Sequence, residues 1–113
     1  MSSIPYSVDE VVRLFRKYSI YIVRRKDFKN KRFLDSVNAL SNDAVEFIRS
    51  ELSKNDCVCS LLKDRDYPNN YLYVFKTMFA GRYCYIKLTV VDQLKCIKVI
   101  SFHEDEVHKN EKD

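Results

Sequence analysis

Hydrophobic positions recur at a helical period in the first half of the chain and alternate in the second. Val8, Val11, Val12 and Phe15 form an apolar stripe behind Ser7 or Asp9, either of which can cap a helix that fades near Lys17–Ser19. Ser19-Ile20-Tyr21-Ile22-Val23 is β-branched and aromatic, a short strand that runs into the basic triplet Arg24-Arg25-Lys26. The stretch DFKNKRFLDSVNAL reads as a loop and a short helix. Ala44, Phe47, Ile48 and Leu52 mark a further helix, with Ser41 or Asn42 as its cap. From Ser53 to Asn70 the period is lost, and KDRDYPNN, with Pro68 beside two asparagines, predicts a surface loop. Three strands follow at about 71–79, 82–92 and 95–102, the first two joined at Ala80-Gly81 by the only glycine. The pattern predicts an α+β fold, N-terminal helices packed on a C-terminal antiparallel β-sheet. Residues 1–113 form a single domain, with an ordered core at about 8–103 and an acidic tail at 104–113.

Register turns this pattern into candidate neighbours. In the second late strand Cys84, Ile86, Leu88 and Val90 share one face, and Tyr83, Tyr85, Lys87 and Thr89 share the other. In the third, Cys96, Ile100 and Phe102 join the apolar face with Lys98 snorkelling from its edge, and Ser101 and His103 join Tyr85 and Lys87. A Gln93-Leu94-Lys95 loop pairs Asp92 with Cys96, and hence Tyr85 with His103 and Lys87 with Ser101. A two-residue Ala80-Gly81 turn sets Lys76 opposite Tyr85. The expected cluster on the solvent side is Lys76, Tyr85, Lys87 and His103.

Charge bears on what this face could meet. Residues 1–34 carry a balance of +6, and Asp27 is the only acid between Arg13 and Arg32; residues 103–113 carry −3. Concentrated cations attract polyanions, although a solvated basic helix and loop has the same composition. The N-terminus MSSIPYSVDE has no signal pattern and no apolar run reaches membrane-spanning length, so the expected location is cytoplasmic, without membrane association. Four cysteines include a C-x-C pair, Cys57 and Cys59, but no C-x-x-C, so reduced structural thiols are expected and no metal or other cofactor.

Cleaving RNA without a metal needs a group to take the 2′-hydroxyl proton, a donor for the leaving 5′-oxygen, and cations for the phosphate. His103 suits the proton exchange, because imidazole ordinarily titrates near neutrality. Tyr85 can hydrogen-bond the 2′-hydroxyl or the phosphate. Lys76, Lys87, Arg24 and Arg25 are candidate phosphate contacts, and Tyr83 and Tyr73 can stack on bases. The same polar face is equally an ordinary wetted sheet surface.

The pieces Tyr73-Val74-Phe75, Tyr85-Ile86-Lys87-Leu88 and Ile100-Ser101-Phe102-His103, with the short Ala80-Gly81 turn between, resemble the C-terminal half of the MqsR-like toxins of bacterial toxin–antitoxin systems. IYIVRRK and AVEFIRSEL give a weaker match in the N-terminal half. The resemblance implies a RelE-like fold and an mRNA-cleaving toxin neutralised by a cognate antitoxin protein, with Tyr85, Lys87 and His103 as catalytic residues. The chain departs from the family pattern where Tyr73 replaces a common tryptophan, where Lys76 replaces a glycine, and in CVCSLL, which lacks a lysine that some members use. Two other readings compete: a non-catalytic RNA- or protein-binding module using the same basic face, and an interaction protein that only docks a partner.

Overall fold

The computed structural model describes residues 6–63 and 71–105, with backbone only for 58–63. Within them the chain is α+β, with helices α1 (Val8–Leu14), α2 (Lys29–Ser36) and α3 (Ser41–Ser50). Strands β1 (Ser19–Ile22), β2 (Cys57–Lys63), β3 (Tyr71–Phe79), β4 (Arg82–Val91) and β5 (Cys96–Glu104) form one sheet in the order β1-β5-β4-β3-β2. β1 runs parallel to β5, whereas the other pairs are antiparallel. The sheet is therefore mixed, not antiparallel throughout. Alternation marks a strand but carries no information about the direction of its partner.

α1 begins where its cap chemistry places it. Ser7 Oγ accepts the Glu10 N–H at 3.2 Å and Glu10 Oε1 accepts the Ser7 N–H at 2.9 Å, a reciprocal capping box. α3 is capped differently from the expectation. Its N-cap is Leu40, whose N–H donates to the Asp43 carboxylate at 2.8 Å, so neither Ser41 nor Asn42 does the capping. All three helices contribute to one core: Val11 and Phe15, Phe33 and Leu34, and Ala44 and Ile48 meet Phe75, Ile86, Leu88, Ile97, Val99 and Phe102 of the sheet. Phe47 and Phe79 pack edge-on at 5.0 Å, and Phe79 meets Phe102 edge-on at the same distance, so the ring contacts tie α3 to two strands.

Two expectations from the pattern change. The segment read as an irregular loop contains a short 3₁₀ turn (Lys54–Asp56) and then β2, an edge strand whose pairing with β3 is interrupted by register shifts. Those shifts break the alternation that would have shown a strand. KDRDYPNN beyond Lys63 lies outside the described residues, as do His108 and the tail from Glu106. β5 continues past 103 to Glu104, and Asp105 is buried.

The β3–β4 turn follows the expectation. Phe79 pairs with Arg82 across Ala80 (φ 53°) and Gly81 (φ 80°), two left-handed residues that let a two-residue hairpin follow the strand twist. Lys76 consequently pairs with Tyr85.

β5 reaches the expected pairs by a different route. Tyr85 opposes His103 and Lys87 opposes Ser101, but on the far side Leu88 opposes Val99 and Val91 opposes Cys96. Ile100 is thus an extra residue, a β-bulge, and the β4–β5 connection is Asp92–Lys95, one residue longer than expected. The two differences cancel at Tyr85–His103. The bulge also reverses the faces of the first half of β5. Ile97 and Val99 enter the core, Lys98 pairs with Thr89 on the opposite face, and Cys96 leaves the apolar layer. Lys98 has no need to snorkel.

The bulge is held by one side chain. Asn30 of α2, 2% exposed, donates through Nδ2 to the carbonyls of Val23 (3.1 Å) and Ile100 (3.0 Å). Its Oδ1 accepts the Phe102 N–H at 2.9 Å. A bulge frees ladder groups, and buried backbone groups must find partners. This amide supplies them.

Candidate functional site

The face opposite the core carries Lys76 and Val74 of β3, Tyr83, Tyr85, Lys87 and Thr89 of β4, and Ser101, His103 and Asp105 at the end of β5. It is not the open polar surface that alternation suggests. Val74, Thr89, Ser101, His103 (8% exposed) and Asp105 are buried, while Tyr83, Tyr85, Lys76 and Lys87 are half-buried. Alternation reports which side chains share a face, not whether that face is covered.

Four groups converge at one end. The Tyr85 and His103 rings stack with centroids 5.8 Å apart and planes at 16°. Lys76 Nζ lies 5.9 Å from the Tyr85 ring centroid and 3.2 Å from Asp105 Oδ2. The Asp105 N–H donates to the Tyr83 carbonyl at 2.9 Å, continuing the β4–β5 ladder one residue past the strand and fixing the carboxylate beside the lysine. His103 Nδ1 lies 2.9 Å from the Glu104 carbonyl oxygen. A carbonyl only accepts, so Nδ1 carries the proton, and in the neutral ring Nε2 holds the lone pair. That is the arrangement a proton acceptor needs.

One strand pair further along stands a second cationic group. Lys87 opposes Ser101, whose hydroxyl accepts a hydrogen bond from Arg25 Nη1 at 3.0 Å. Arg25 is also paired with Asp27 at 3.0 Å. A hydrogen bond from the Lys29 N–H is the main cause, with Arg25 beside it, that holds the Asp27 carboxyl below its usual range. Lys87 has no carboxylate partner among the described residues.

Of the residues singled out from sequence, Tyr85, His103, Lys76, Lys87, Tyr83 and Arg25 share this face. Arg24 and Tyr73 do not. Arg24 lies past the end of β1, with its guanidinium 5.7 Å from the Phe28 ring centroid. Tyr73 belongs to the core, 2% exposed, with its hydroxyl donating to the Tyr6 carbonyl at 2.7 Å. Burial pushes this phenol up to about 12. Its ring is covered by core neighbours and offers no stacking surface to a base.

Asp105 and Asn30 escaped the sequence reading. A signal for Asp105 existed, since the alternation Ser101, His103, Asp105 carries one step into the segment taken as a tail. For Asn30 there was none, because its three partners come from segments 7 to 72 residues away.

No family model, curated protein or solved structure matches the chain. No helix among the described residues is long and apolar enough to cross a membrane.

Proposed function

We propose that the protein is a toxin-type, metal-independent endoribonuclease that cleaves mRNA through attack by the 2′-oxygen and is neutralised by a cognate antitoxin. The observation carrying this reading is the stacked Tyr85–His103 pair flanked by Lys76 on one side and by Lys87 with Arg25 on the other. A phenol, an imidazole with an accepting nitrogen, and cations at both ends are the groups that transphosphorylation uses. The resemblance to MqsR-like toxins, and through it the RelE-like form of the α+β fold, points the same way.

In the proposed reaction the 2′-hydroxyl loses its proton to His103 Nε2 while its oxygen bonds to phosphorus. The P–O5′ bond breaks, and the 5′-oxygen takes up a proton from the imidazolium. The products are a 2′,3′-cyclic phosphate and a 5′-hydroxyl, and the proton count closes on one imidazole. Tyr85 holds the phosphate or the 2′-hydroxyl by hydrogen bonding. Lys87 and Arg25 are the better phosphate contacts, because Lys76 is engaged by the buried Asp105 carboxylate whereas the Asp27 carboxylate beside Arg25 is exposed to water.

The test is incubation of purified protein with an oligoribonucleotide in chelator, reading for cyclic phosphate ends. His103→Ala should reduce the rate at least about 100-fold, the lower range for loss of a general acid–base. Cleavage that survives in His103→Ala overturns the mechanism. The near-complete burial of His103 and the Lys76–Asp105 pair favour a second reading, a non-catalytic RNA- or protein-binding module on the same face. Salt-sensitive retention of RNA with no cyclic phosphate, in bacteria that tolerate expression, is its signature.

A further inference from the structure

A cleft of about 440 Å³ opens beside the end of β1, walled by Ile22, Phe28, Leu34 and Leu40 with Arg24 and Lys31 at its polar margin. That is the size range of small-molecule and cofactor sites. Phe28 is its most unusual wall. It precedes α2 with φ 55° and ψ 24°, the left-handed region that a residue with a bulky side chain rarely occupies, and its side chain caps nothing. The conformation holds an aromatic residue 42% exposed under the Arg24 guanidinium. Strain that exposes an apolar ring is a cost with no return in the core, and such outliers mark functional positions.

We propose that this cleft seats an unstacked base of a single-stranded RNA whose backbone continues to the Tyr85–His103 face; the inference rests on the RNA reading above. Arg25 carries the connection, since it lines the cleft and also bonds Ser101 opposite Lys87. A phosphate held between Arg25 and Lys87 leaves a flanking base next to the Phe28 ring and the Arg24 guanidinium. Alternation of cations with an aromatic, Arg24-Arg25-Lys26 and then Phe28-Lys29, is how sequence-tolerant single-strand sites grip backbone and base together.

Fluorescence anisotropy with a labelled, uncleavable 2′-O-methyl octaribonucleotide tests this. Phe28→Asn removes the ring but suits the left-handed backbone, so the variant should melt no lower than the wild type. Its affinity should fall about tenfold, within the range seen when a stacking aromatic is lost. Phe28→Tyr should bind like the wild type. Wild-type affinity in Phe28→Asn overturns the inference, and if RNA cleavage persists in the wild type the ribonuclease reading stands without it. A wild type that grips the octamer through Phe28 but cleaves nothing supports the cleft and removes the enzyme. No binding by the wild type removes the cleft inference, and cyclic phosphate formation then decides the ribonuclease reading by itself.

Discussion

Asn30 is the position where fold and site depend on the same atoms. Asn30→Ala deletes three hydrogen bonds, two from Nδ2 to the Val23 and Ile100 carbonyls and one from the Phe102 N–H to Oδ1. The Phe102 donor is buried, so leaving it unsatisfied costs about 1–3 kcal/mol. The two carbonyls are partly buried and can recruit water, so each loses only the net value of a hydrogen bond, about 0.5–1 kcal/mol. The sum is about 2–5 kcal/mol, a large share of the roughly 5–15 kcal/mol that stabilises a typical domain. Urea unfolding should show the midpoint falling at unchanged slope, and a thermal scan a drop of roughly 8–20 °C for a chain of this size. Asn30→Asp should be worse, because a carboxylate keeps the acceptor but turns a charge toward two carbonyls. An Asn30→Ala midpoint within about 0.5 kcal/mol of wild type, the usual range for exposed surface changes, would refute the assignment of the bulge to this amide.

Three further outcomes follow from the geometry. Ala80 has φ 53° in the hairpin turn, so Ala80→Gly or Ala80→Asn should stabilise by about 0.5–1 kcal/mol in chemical unfolding, and a loss of stability would contradict the left-handed assignment. Burial pushes the Cys84 thiol up to about 12, with the Glu104 charge adding to the effect. Below the ordinary thiol range, near 8.5–9, both states are protonated; above it the unfolded chain loses the proton first, so this stabilisation declines as pH rises toward 12. Cys84→Ala should therefore flatten the alkaline limb of the stability curve relative to wild type, and identical slopes would show the thiol to be accessible. Asp105→Asn removes the carboxylate that engages Lys76, so it should cost about 1–3 kcal/mol of stability, less than a fully buried pair because Lys76 retains some access to water. The same change should tighten RNA binding and steepen its salt dependence, and weaker binding by a folded variant would place Asp105 on the RNA-contacting side.

The sequence by itself determined which residues share a face within each element. Helical spacing marked the buried sides of α1 and α3, and alternation separated Tyr85 and Lys87 from Ile86 and Leu88. The lone glycine located the hairpin that sets Lys76 beside Tyr85. These are local properties, dictated by backbone period and turn sterics over a few residues. Tertiary structure decided the rest. It chose a parallel partner for β1, inserted Ile100 as a bulge under Asn30, buried the second face, and drew Asp105 in to Lys76. It also turned Arg25 to the Ser101 hydroxyl while Arg24 met the Phe28 ring, and it closed the core over Tyr73. Each of these rests on groups far apart in the chain meeting to satisfy hydrogen-bonding and burial requirements, and no short-range period encodes such a meeting.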